Sequence, residues 1–128
     1  AKGWTQIAAV NLLRSLLEHE ACEVLLIVLL DAKNKVLGYS EVARGGLSSC
    51  TVEPAQAYKA ALLGDAAGVI LAHNHPSGDC TPSAEDVAFT RKIVQGSALI
   101  GLRVVDHIIV GDPGHFSFLD AGLLNRAG

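Results

Sequence analysis

The sequence has no methionine and only three cysteines, Cys22, Cys50 and Cys80, placed so that no C-x-x-C pair exists. An odd number of scattered thiols does not build the disulfide framework of a small secreted domain, so reduced cysteines are expected. Aromatic residues make up 5% of the chain. The basic residues, Lys2, Arg14, Lys33, Lys35, Arg44, Lys59, Arg91, Lys92, Arg103 and Arg126, form no run, and the formal charge is -3. That distribution gives no nucleic-acid footprint. No apolar run reaches the ~18 residues of a membrane helix, and the N-terminus lacks a charged region followed by an apolar stretch and cleavage site. A cytoplasmic domain with no membrane partner is expected. The missing initiator suggests a piece excised from a longer protein, with residues 1–128 as one domain.

Half of the 128 residues are hydrophobic, enough for one compact core. Ile7, Val10, Leu13 and Leu17 recur at helical spacing between Trp4 and Glu20. Glu23 to Leu30 is a near-continuous aliphatic run that reads as a central strand, turning at Asp31–Asn34 into a second strand over Lys35–Ala43. Gly45-Gly46 opens a third segment through Thr51, and Pro54 suits the first turn of a helix ending near Gly64. Gly68–Ala72 is short and bounded like a buried strand; Ser83–Ala98 reads as a helix with Ser83 at its N-cap. Arg103–Val110 and His115–Phe118 read as strands, and Leu119–Asn125 as a closing helical turn. Strands and helices interleave, yet the opening hairpin makes the sheet mixed, so the fold class is a single three-layer α/β domain with helices on both faces.

The chemistry concentrates in His73-Asn74-His75-Pro76-Ser77-Gly78-Asp79-Cys80-Thr81-Pro82-Ser83-Ala84-Glu85-Asp86. In a strand, residues i and i+2 share a face, so His73 and His75 aim at one point while Asn74 faces away. On the following helix, at ~100° per residue, Asp86 falls inside the apolar arc of Val87, Phe89, Ile93, Val94 and Ala98. A carboxylate aimed at a core is costly unless it is paired or bound to a cation. Ser83-x-x-Asp86 is also a capping-box variant, in which Asp86 reaches back to a free backbone N–H. The two histidines favour the metal: three convergent N/O ligands with an open position are the pattern of a catalytic zinc.

His73-x-His75, ten residues, then Asp86, with Ser83-x-x-Asp86 inside, resembles the JAMM motif of JAB/MPN metallopeptidases. Together with Asp106-His107-Ile108-Ile109-Val110-Gly111, the phrase resembles the RadC-like branch, over about Cys22 to Leu124. The resemblance implies a mixed, curved sheet between helices, Zn2+ as cofactor, a peptide or protein substrate, and amide hydrolysis. It implies that Ser83 helps to stabilise the oxyanion. The family places its catalytic glutamate on an early strand, and Ser40-Glu41-Val42-Ala43-Arg44-Gly45-Gly46-Leu47 resembles the stretch that carries it, so Glu41 is the expected base, with Glu53 the other candidate. Two departures stand out: Cys80 replaces a proline, where a cysteine is more often a tolerated loop residue than a fourth ligand, so an open site is expected, and Ala55-Gln56 replaces Arg-Glu. Asp106 and His107 are candidates to orient a ligand imidazole, although strand-end polar residues are more often solvated, and they stay outside the expected site. Three other readings compete. A nucleobase deaminase would need H-x-E and C-x-x-C, which this chain lacks. A non-catalytic zinc-containing binding module would keep the metal for structure. The DNA-repair role attached to the family name finds no basic surface here.

Overall fold

A computed structural model describes residues 6–45 and 53–124. The elements run α1 (Gln6–Leu17), β1 (Val24–Leu30), β2 (Val36–Arg44), α2 (Pro54–Leu63), β3 (Gly68–Asn74), α3 (Ala84–Leu99), β4 (Arg103–Val110) and β5 (His115–Ser117). The strands form one sheet in the order β2-β1-β3-β4-β5. Only β3 and β4, joined through α3, run parallel; the other neighbours are antiparallel.

β1 and β3 are buried at every position, which explains why their sequences show unbroken apolar runs rather than alternation. The alternation is instead between two cores. Val24, Leu26, Val28 and Leu30 join Ile70, Ala72 and Ile108 beneath Val10, Leu13 and Leu17 of α1. Leu25, Ile27, Leu29, Val69, Leu71 and Ile109 point the other way, to Ala57 and Ala61 of α2 and Phe89, Ile93 and Val94 of α3. The result is three layers: α1, the mixed sheet, then α2 with α3. No helix among the described residues is long and apolar enough to cross a membrane.

The chain closes in hydrogen-bonded turns, with Ala121 N–H donating to the Ser117 carbonyl as in a single helical turn, Gly122 N–H to that of Leu119 and Leu123 N–H to that of Phe118. Gly122 at φ +75 leaves the right-handed region, and the Asp106 carboxylate takes the Leu119 N–H at 3.0 Å, so the backbone is satisfied without a longer helix. The third segment after Gly45-Gly46 lies largely outside the described residues.

Register is what places the site. β1 and β3 end their pairing at Leu25–His73. Two residues further along each antiparallel strand, on the same face, Glu23 comes level with His75.

Candidate metal centre

His73, the last β3 residue paired to β1, lies on the α3 face with Leu71 and is 1% exposed, as is Asp86 in the first turn of α3. His73 Nε2 lies 3.1 Å from His75 Nε2. Asp86 Oδ1 lies 3.2 Å from His73 Nε2 and Asp86 Oδ2 lies 3.2 Å from His75 Nε2. Glu23 offers a carboxylate oxygen within 4.8 Å of both imidazoles. The group opens to a cleft of about 240 Å³ lined by Glu23, His75, Pro76, Ser83, Glu85 and Asp86.

The surrounding hydrogen bonds decide where the imidazole protons sit. His75 Nδ1 is 2.8 Å from the Asp79 carbonyl oxygen. A carbonyl can only accept, so His75 carries its proton on Nδ1 and presents a lone pair at Nε2. For His73 the same result comes through a relay. The Thr90 hydroxyl donates to the Asp86 carbonyl oxygen at 2.8 Å, so its oxygen accepts from His107 Nδ1–H. His107 Nε2 then accepts from His73 Nδ1–H at 2.8 Å, which leaves His73 Nε2 bare. This requires His107 to be neutral, and complete burial pushes its imidazole well below its ordinary pKa.

Asp86 completes the set as an anion. Its carboxylate accepts from the Ser83 N–H at 2.8 Å at the N-terminus of α3, where negative charge is favoured. Two lone pairs and a carboxylate therefore converge with no proton assigned between them, and the charge they call for is a cation. Separations of 3.1 to 3.2 Å are close to the edge of about 3.3 Å expected between ligands of a tetrahedral zinc with bonds of ~2.0–2.1 Å. His73 and His75 thus fit such an ion together with a carboxylate, either Asp86, which meets each imidazole through a different oxygen, or Glu23, whose oxygen lies within 4.8 Å of both.

Asp86 also keeps its capping role. Ser83 Oγ accepts from Asp86 N–H at 3.0 Å while Asp86 Oδ2 accepts from Ser83 N–H, a full capping box. The two readings of Asp86 are compatible because one carboxylate has enough lone pairs for both. Of the other expected site residues, Ser83 lines the cleft. Glu41 does not reach it. It pairs with Leu26, whose side chain packs beneath α1, so Glu41 lies on the opposite face from His73. There its carboxylate meets Arg44 at 2.7 Å, and Arg44 also holds Glu20 at 2.8 Å. Glu53 occupies the N-cap of α2, away from the residues lining the cleft. Cys80 Sγ packs near Gly114 and takes no part in the Glu23–His73–His75 group. His107 joins the cluster from β4, stacked on Phe118 with ring centroids 4.5 Å apart. Asp106 instead clips β4 to the chain after β5, accepting from Ser117 Oγ at 2.7 Å and from Leu119 N–H.

Fold and cluster together define a three-layer α/β domain of the JAB/MPN kind with a His, His and carboxylate group able to hold a metal ion. The chain belongs to the RadC-like JAB domain family, whose sequence model matches residues 4–123. Similar curated proteins include a UPF0758 protein of Symbiobacterium thermophilum, 46% identical over 106 residues, 83% of this chain and 45% of that protein. A UPF0758 protein of Pelobacter propionicus is 44% identical over 80% of this chain and 44% of its own length. One of Pseudomonas entomophila is 42% identical over 92% of this chain and 52% of its own. The chain spans about half the length of these relatives.

Proposed function

We propose that this domain is a zinc-dependent metallohydrolase of the peptidase or isopeptidase type, with His73, His75 and Asp86 as ligands and Glu23 as the general base. The observation that carries the reading is the convergence of two bare Nε2 atoms and an ionised carboxylate beside an open cleft that a further carboxylate, Glu23, overlooks. A zinc ion held there supplies Lewis acidity and makes water a nucleophile near neutral pH. Glu23 takes the proton from the attacking water and returns it to the leaving nitrogen, work that contributes about 10²–10⁴-fold in rate. Glu23 replaces Glu41 in this role because it is the carboxylate on the histidines' side of the sheet.

Ser83 suits oxyanion stabilisation. Its oxygen lone pair is spent on Asp86 N–H, but its hydroxyl hydrogen remains available to the cleft, at a helix N-terminus that favours negative charge. Cleavage of a peptide and isopeptide library by zinc-loaded wild type, lost in Glu23→Gln and kept in Glu41→Gln, would establish the reading. Zinc binding without cleavage of any member would instead support the non-catalytic binding module. Tight DNA binding in a gel-shift titration at physiological salt would favour the DNA-repair role.

A further inference from the structure

Asn74, between the two histidines, carries a second device in the same motif. Its side chain is 4% exposed and lies on the sheet face opposite His73 and His75. Asn74 Oδ1 accepts from Val24 N–H at 2.8 Å, and Asn74 Nδ2 donates to the Cys22 carbonyl at 3.0 Å. These are the peptide groups on either side of Glu23. The pairing of β3 with β1 ends at His73, and Pro76, which the register sets level with Cys22, has no N–H for the Cys22 carbonyl. A carboxamide offers one acceptor and donors in the geometry of a peptide group. Asn74 therefore continues the β1 ladder one step past the end of its own strand. Between those two peptide groups, the Glu23 carbonyl accepts from Gly45 N–H at 2.8 Å.

We infer that Asn74 is a positioning residue for Glu23: its amide clamps Cys22 and Val24 so that the Glu23 carboxylate is held beside the two imidazoles. The inference rests on the metal-centre reading above. His73, His75 and Asp86 do not depend on this clamp, since they are fixed by β3, the His107 and Asp79 contacts, and the capping box. Removing the clamp should then release Glu23 and leave the ligands in place.

The test uses Asn74→Ala and the isosteric Asn74→Asp, which keeps an acceptor for Val24 N–H but sets a carboxylate against the Cys22 carbonyl. Three readouts are taken on the same proteins: amide hydrogen exchange at Val24, Co2+ affinity, and the visible spectrum of the Co2+-loaded protein compared with Glu23→Gln. The expected result is exchange at Val24 at least about 10-fold faster in Asn74→Ala, Co2+ affinity within about 3-fold of wild type, and a spectrum moved in the same direction as that of Glu23→Gln. The double variant Asn74→Ala/Glu23→Gln should match Glu23→Gln alone, because Asn74 acts through Glu23. A wild-type spectrum in both Asn74 variants would overturn the inference. So would a loss of Co2+ affinity as large as that of His75→Ala, which would make Asn74 a support of the histidines. If Asn74→Ala does not fold, Asn74→Asp decides by the same readouts. If wild type itself binds no Co2+, the metal-centre reading fails, while faster exchange at Val24 in the variants would still show the clamp.

Discussion

Replacing His107 tests the relay that sets the His73 proton. In His107→Phe the ring can still stack on Phe118, now at 4.5 Å from His107, so the core keeps its volume. What goes is the acceptor for His73 Nδ1–H and the donor for Thr90. His73 then has a buried N–H with no partner, at a cost of about 1–3 kcal/mol. It can escape that cost by moving its proton to Nε2, 3.2 Å from Asp86 Oδ1, and that tautomer cannot bind a metal. Loss of such an orienting contact typically costs 10–100-fold in metal affinity, about 1.4–2.7 kcal/mol. Competition of zinc-loaded protein with a chromophoric chelator measures it, with far-UV circular dichroism as the control for folding. His107→Gln can accept from His73 and donate to Thr90, so it should recover most of the affinity. A folded His107→Phe that binds zinc as tightly as wild type would refute the relay.

Asp86→Asn keeps a capping oxygen for Ser83 N–H but loses the charge, so zinc affinity should fall by more than about 100-fold while the melting temperature of the metal-free protein changes little; unchanged affinity would leave Asp86 with capping alone. Glu41→Gln removes an exposed ion pair with Arg44 and should change stability by less than about 1 kcal/mol, with no effect on zinc content by elemental analysis. Leu13→Ala, at a position 1% exposed beneath the sheet, should destabilise by about 2–5 kcal/mol in urea unfolding, through the cavity it leaves between α1 and the sheet.

Much of this fold could be read from the sequence because its elements carry strong local signals. The Pro54 helix start, the Ser83 N-cap and the aliphatic runs of β1 and β3 all appear where periodicity and capping chemistry put them. The histidine pair was legible for the same reason: strand alternation is a local rule. Glu23 was not, since its closeness to His75 depends on the register between β1 and β3, which no local pattern encodes. One signal was available: a charged residue directly abutting a strand buried at every position. Glu41 lay in a stretch with the family's look, yet a bulge between Leu25 and Leu26 and the alternation of β2 send its side chain to the α1 face. His107 reads in sequence as one more strand residue; only the parallel pairing of Leu71 with His107 brings it beside His73.

X-ray absorption at the zinc edge of the loaded protein tests the central claim most directly. About one zinc per chain is expected in a shell of nitrogen and oxygen only, two imidazoles among them, at ~2.0–2.1 Å, with the same shell in Glu23→Gln and Cys80→Ser. A sulfur scatterer at ~2.3 Å that disappears in Cys80→Ser, or a shell that loses an oxygen in Glu23→Gln, would contradict it.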